Sequence, residues 1–243
     1  MGIFDWSALT DKGPNLETNE DFVVAEPGYG IFAVADGMGG RPGGAQASRV
    51  AARTFMDALR RVNASARTDS SVLAAAVTAA NASIRAVVAA EPVMEGMGTT
   101  LTAVVLSEDR GKIVHVGDSR IYRYSRRRLD QLTDDHTLAG DLIAKGFLSE
   151  EVAEHFPGAD VLTRAVGTRP TVQPDIEDLV LRRGDWLLLV TDGVYKTLSR
   201  DRLASLIHER QKGGAAVVAR AIMDAAVAAG PEDNLSLVVV RQV

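Results

Sequence analysis

Cysteine is absent from the 243-residue chain, and only four histidines are present. Thiolate chemistry, iron–sulfur clusters and thiolate zinc sites are therefore excluded. Long apolar runs are missing as well. Trp186–Val190 and residues 237–240 fall far short of the roughly 20 residues that a membrane-spanning helix needs. No basic stretch leads into an apolar one at the N-terminus, and Trp6 stands where a myristoylation signal needs Ser or Thr. Positive charge is in deficit, with 27 Lys and Arg against 32 Asp and Glu and a net charge of −5. That balance argues against a basic face for nucleic acid. The expectation is a cytoplasmic protein with neither a membrane nor a nucleic-acid partner. The one basic cluster, Arg126, Arg127 and Arg128, reads as a solvated hairpin turn.

What is present is ordinary for a globular chain: 46% apolar and 24% charged residues. The length suits one large domain or two small ones. No linker, repeat or low-complexity segment divides it, so residues 1–243 are expected to form a single domain. Strand signals fall at 22–25, 30–35, 101–106, 113–116, 121–124, 129–132, 176–181, 186–190 and 235–240. Ala51, Phe55, Ala58 and Val62 trace one helical face, and Leu73, Val77, Ala80, Ile84 and Val88 trace another. Asp69 or Ser70 is the expected cap of the second helix. Ser199 should cap a short helix carrying Leu203, Leu206 and Ile207. Val218, Ala221, Ile222 and Ala225 mark a longer helix that stops at Gly230-Pro231. Residues 134–170 are more polar, locally helical and interrupted by Gly146, Pro157 and Gly158, as expected of a mobile insert. Strands and helices come in blocks, which predicts an α+β fold with helices covering mostly antiparallel sheets. Trp186-Leu187-Leu188-Leu189-Val190 is apolar at every position, so burial on both faces is expected, as between two packed sheets flanked by helices.

The chemistry lies in where the carboxylates fall. Asp36 ends the apolar run 31–35, Asp118 follows 113–116, and Asp192 follows Trp186–Val190. Asp233 immediately precedes 235–240, and Glu20-Asp21 precedes 22–25. Asp36, Asp118 and Asp192 each adjoin a glycine. Any one such pair reads as a turn; the recurrence at strand ends points to convergence. Two unit charges about 4 Å apart repel by roughly 4 kcal/mol at an effective dielectric of 20, so a converging set needs a cation. Carboxylates without thiols or a His-Glu-x-x-His pattern suit Mg²⁺ or Mn²⁺ better than zinc. No Gly-x-Ser-x-Gly elbow and no nucleotide-binding P-loop occur. His115, His136, His155 and His208 are scattered and read as structural or surface groups. Hard cations held about 3.5–4 Å apart are a standard device for phosphoester hydrolysis.

The same segments identify a resemblance. Asn19-Glu20-Asp21, Asp36-Gly37-Met38-Gly39-Gly40, Gly98-Thr99-Thr100 and Gly117-Asp118-Ser119-Arg120 come first. Leu132-Thr133-Asp134-Asp135-His136, Leu162-Thr163-Arg164-Ala165-Val166-Gly167, Thr191-Asp192-Gly193 and Asp233-Asn234 follow in order. Over essentially its full length the chain resembles the metal-dependent type 2C (PPM) serine/threonine protein phosphatases of the single-domain bacterial form. The resemblance implies a four-layer αββα sandwich, two antiparallel sheets flanked by helix pairs, with residues 134–170 as a flap over the site. It implies hydrolysis of phosphoserine and phosphothreonine on proteins by a metal-bridging water, with two to three Mn²⁺ or Mg²⁺ ions, in a monomer that reverses a partner Ser/Thr kinase. Asp36 would bridge two metals, with Asp192 and Asp233 completing the first. Glu20 and the Gly37 carbonyl would serve the second, and Asp118 with Asp192 a third. Asp21 and Asn234 would orient ligands and waters, and Thr99 and Thr100 would play a structural role beside them.

Two positions depart from the family pattern. Met38 stands where animal members carry a His taken as general acid, which leaves a metal-bound water to protonate the leaving alkoxide. Leu16 stands where an Arg usually grips the substrate phosphate, so the metals alone, or Lys12 or Arg41, would bind it. A phosphoprotein-binding module without turnover and an unrelated two-metal hydrolase of diesters or nucleotides are the alternative readings.

Overall fold

Successive side chains along a strand point to opposite faces, and in this chain several strands, β3 and β11 above all, are apolar on both. The computed structural model describes residues 4–39, 43–107, 110–153 and 156–243. The chain enters through β1 (Phe4–Asp11), β2 (Phe22–Glu26), β3 (Ile31–Ala35) and the two-residue β4 (Gly37–Met38). Two helices follow, α1 (Gly43–Arg60) and α2 (Ser70–Ala90). Next come β5 (Gly98–Thr99), β6 (Leu101–Ser107), β7 (Arg110–Val116), β8 (Arg120–Ser125) and β9 (Arg128–Gln131). Beyond α3 (Leu138–Ala144) and α4 (Glu150–Ala153) lie β10 (Asp175–Val180) and β11 (Trp186–Val190). The remainder is α5 (Asp192–Thr197), α6 (Arg200–Arg210), α7 (Ala215–Ala228) and β12 (Leu235–Gln242).

The strands form two five-stranded sheets, ordered β1-β12-β11-β8-β9 and β10-β7-β6-β3-β2, with β4 and β5 as a separate small pair. Every pairing is antiparallel. The α+β expectation and the sandwich of two sheets therefore match the structure. β11 shows why its sequence is apolar throughout. Leu187 and Leu189 join Phe32, Val34, Val104, Ile121, Val238 and Val240 between the sheets. Trp186, Leu188 and Val190 pack outward against Leu203 and Ile207 of α6 and Val218 and Ile222 of α7. On the other side, α1 and α2 cover the second sheet through Phe55, Leu59, Leu73, Val77 and Ile84.

Several local expectations are corrected. The buried row of α1 steps by four through Ala47, Ala51, Phe55 and Leu59; Ala58 lies at its border and Val62 beyond the helix end. Asp69 is the N-cap of α2 but makes no side-chain cap bond, whereas the Ser199 hydroxyl accepts the Arg202 N–H at 3.3 Å. By length and mean hydropathy (1.7) α2 is apolar enough to cross a bilayer, an apolarity that alanine carries and that Ser, Thr and Asn interrupt. Its Leu73, Ala76, Val77, Ala80 and Ile84 are instead packed into the core. The first strand β1 and the short helix α5 have no clear periodicity and were not expected.

Phe32 is fully buried between the sheets. Its replacement by Ala is expected to cost about 3–5 kcal/mol of unfolding free energy by urea titration; a loss under about 1 kcal/mol would contradict the inter-sheet core described above.

Candidate functional site

Strand ends deliver the carboxylates. Asp36 leaves β3, and its backbone is clamped from both sides. Thr100 Oγ1 accepts the Asp36 N–H at 2.9 Å, while the Thr100 N–H and the Thr99 hydroxyl donate to the Asp36 carbonyl at 2.9 and 2.8 Å. Thr100 Oγ1 also bonds Ser119 Oγ at 2.8 Å, next to Asp118 in the turn between β7 and β8. Thr99 and Thr100 thus have the structural role expected of them. Asp192 is the first residue of α5, immediately after β11.

The Glu20 and Asp233 segments are locked together by Asn234. Its Oδ1 accepts the Glu20 N–H at 2.7 Å, and its Nδ2 donates to the carbonyls of Lys12 and Thr18 at 2.9 and 3.1 Å. Asp233 Oδ1 accepts the Asn234 N–H at 2.7 Å. The Glu20 carbonyl takes the Ser48 hydroxyl at 2.6 Å and the Gly37 N–H at 3.2 Å. Asp21 is buried and accepts the Thr191 hydroxyl at 2.8 Å, which fixes the residue just before Asp192. Two glycines are required by close approach: a Cβ on Gly37 would fall onto the Gly44 carbonyl, and one on Gly193 onto the Asn234 carbonyl.

The acids act on one another. Burial raises Asp36 well above its ordinary value, and the neighbouring Asp21, Asp192 and Asp118 raise it further. Burial, reinforced by Asp192, pushes both Asp21 and Asp118 up to about 7. Asp233 is raised by burial and by Asp192. Asp192 is thus the group that all the others sense. The Glu20 carboxylate lies against Gly44. As the side chains lie, no three carboxylates or imidazoles among the described residues form a ready coordination shell. A hard cation nevertheless suits the set, because Asp192 Oδ1 is buried without a hydrogen-bond partner. An unsatisfied carboxylate oxygen beside other acids is costly unless a cation meets it.

Lys196, one helical turn after Asp192, was not anticipated. Its ammonium lies 2.8 Å from Asp192 Oδ2 and 3.2 Å from Asp160 Oδ2 in the 134–170 segment. The signal was available in the sequence, since a Lys four residues after the Asp shares its helix face; it was hidden because α5 itself was not foreseen. Of the phosphate-binding candidates, Lys12 is exposed and donates to the Leu16 carbonyl at 2.8 Å, and Arg41 lies outside the described residues. His155 lies outside them too. His115 and His136 are buried in a separate network. His115 bonds Thr102 Oγ1 at 2.9 Å, and burial drops it to about 3. His136 Nδ1 accepts the Gly117 N–H at 3.1 Å, so its Nε2 carries the proton that goes to Asp175 at 2.9 Å. Arg120 grips Asp135 with Nε and Nη2 at 2.7–3.1 Å and lies 3.7 Å from the Tyr195 ring centre, bracing Asp118 and α5.

Two predictions follow from these groups. In EDTA, the folded chain keeps protons on Asp21, Asp36 and Asp118 that the unfolded chain, with carboxyls near 3.8, has already released. The native state binds more protons, so stability declines as pH rises through about 7. The melting midpoint of metal-free protein is expected to fall between about pH 6.5 and 8.5, and saturating Mn²⁺ to remove that fall; a rise over this interval would contradict the carboxylate cluster. Lys196→Met removes the cation that competes at Asp192. It should lower the metal-free melting midpoint and shift the Mn²⁺ dependence of that midpoint to several-fold lower concentration; an unchanged dependence would show that Lys196 does not face the ion.

Residues 17–228 match the protein phosphatase 2C family. The serine/threonine protein phosphatase PstP of Mycobacterium tuberculosis is 34% identical over 242 residues, 98% of this chain, but the chain spans only 45% of that relative's length. The serine/threonine phosphatase stp of Listeria monocytogenes is 31% identical over 96% of this chain and 94% of its own length. A crystal structure of the PstP catalytic domain in complex with two manganese ions is 32% identical and superposes with a TM-score of 0.85, covering 98% of this chain and 97% of that one. The sandwich, the order of its acidic strand ends and these likenesses agree: the chain belongs to the protein phosphatase 2C family.

Proposed function

We propose that the chain is a metal-dependent phosphatase that hydrolyses phosphoserine and phosphothreonine on proteins. The observation that carries this reading is the buried, unpartnered Asp192 Oδ1 at the meeting point of Asp21, Asp36, Asp118 and Asp233. Asp36, Asp192 and Asp233 would hold one cation, Asp36, Glu20 and the Gly37 carbonyl a second, and Asp118 with Asp192 a third. When bound, hard divalent ions supply Lewis-acid charge neutralisation and lower the pKa of water. Manganese is supported by the two ions in the PstP structure; magnesium suits the same oxygen donors.

The chain's own groups do the rest. Thr99 and Thr100 fix the Asp36 backbone, Asn234 fixes Glu20 against Asp233, and Asp21 fixes Thr191 ahead of Asp192. Such rigidity lets the carboxylates meet developing charge without reorganising. Lys196 places a positive charge at the same acids, where a phosphoryl group arrives. Met38 of β4, which pairs with Gly98 of β5, brings no acid to the site. On this reading the opposing enzyme is a Ser/Thr kinase, and the chain acts as a cytoplasmic monomer.

Phosphate release from a phosphothreonine peptide tests the proposal. Mn²⁺ should support turnover, and EDTA or Asp192→Ala should reduce it at least about 100-fold. Binding of the peptide without release would favour a recognition module, and cleavage of a diester in its place would favour an unrelated hydrolase. Leu16→Arg should lower KM for a small aryl phosphate about tenfold, the effect of one charge-assisted hydrogen bond; an unchanged or higher KM would show that no Arg is wanted there.

A further inference from the structure

The basic cluster 126–128 plays no part in the carboxylate site. β8 runs from Arg120, beside Asp118, to Ser125, and pairs with β11, whose far end is Trp186. At that far end, roughly 15 Å from the acids at strand spacing, the β8–β9 hairpin and the turn before β11 enclose a groove of about 290 Å³. Arg123, Arg126, Arg128 and Arg182 line it together with Asp130 and Asp185. Both carboxylates are committed. Asp130 pairs with Arg128 at 2.9 Å, and the buried Asp185 accepts the Arg182 N–H at 3.1 Å. Among the described residues, no carboxylate pairs with the guanidinium of Arg123, Arg126 or Arg182. Three guanidiniums without a carboxylate partner thus line one concavity of a chain whose net charge is −5.

The hairpin turn is held in an unfavourable conformation. Arg126 and Arg127 have φ of +50° and +67°, a left-handed pair for which Asn-Gly is the favoured sequence and which bulky side chains resist. Arg127 turns away to His208 Nε2 at 2.7 Å, which leaves Arg126 at the groove. Guanidinium forks match phosphoryl oxygens bidentately. None of the lining residues is aromatic, so a nucleotide base would find no stacking partner. β9 and β10 are the edge strands of their sheets, and an edge beside the groove offers main-chain partners to an extended peptide.

We infer that this groove is a second phosphate site, which binds a phosphorylated peptide segment remote from the carboxylate centre. Binding there does not depend on hydrolysis. The test is fluorescence anisotropy of a labelled diphosphoserine peptide on the full chain in EDTA. Arg123→Gln/Arg126→Gln/Arg182→Gln should weaken binding at least about tenfold and flatten its salt dependence. Arg126→Asn/Arg127→Gly should raise the melting midpoint while still weakening the peptide several-fold, a combination that a merely structural turn would not give. Equal affinity of the triple variant, equal binding of the unphosphorylated peptide, or a more stable turn variant with unchanged affinity would overturn the inference. Tighter binding of a single-stranded oligonucleotide, or full competition by equimolar inorganic phosphate, would overturn the peptide as occupant.

Discussion

Mutual repulsion of carboxylates is the constraint around which this chain is organised. Pairs of such charges about 4 Å apart cost roughly 4 kcal/mol at an effective dielectric of 20, and Asp192 is sensed by four neighbouring aspartates. Left to itself, a flexible chain would let them spread. Here each sits near the end of a strand, and separate hydrogen bonds hold the backbones of Asp36 and Glu20 and the residue before Asp192. Protonation and the Lys196 ammonium relieve the charge in the metal-free protein, and both are relief that a divalent cation can displace.

The sandwich supplies the stiffness. Strands apolar on both faces pack against each other on one side and against helices on the other, as β11 does through Leu187 and Leu189 inward and Trp186, Leu188 and Val190 outward. Such strands cannot slide by one residue without exchanging two packed faces. Their ends, and hence the carboxylates, are therefore held in register. The polar layer of Thr99, Thr100, Ser119, Asn234 and Thr191 lies between that apolar body and the charged pocket, and its bonds are short and mostly directed at main chain.

Much of this was legible in the sequence, because the signals are local. The apolar runs of β3 and β11, the Asp-Gly steps that end them, and the Gly-then-Pro stop after α7 each occupy a few adjacent residues. What escaped depended on distant partners. β1 alternates poorly because it lies at the edge of its sheet, where Phe4, Leu9 and Trp6 are only partly covered. The α1 stripe ran to Leu59 and not to Ala58 and Val62, since the position of α2 decides which flank is buried. Lys196 and Asp160, far apart in the chain, meet only because the 134–170 segment folds back over α5.

Titration of Mn²⁺ into the metal-free protein by calorimetry, in two buffers of different ionisation heat near pH 7, addresses the metal-holding pocket most directly. Acids that carry protons in the absence of metal must give them up when it binds. Saturable uptake of at least two ions with net proton release, lost on Asp192→Ala, is the expected result. Absence of saturable uptake, or uptake that Asp192→Ala leaves intact and that releases no protons, would contradict a common carboxylate site.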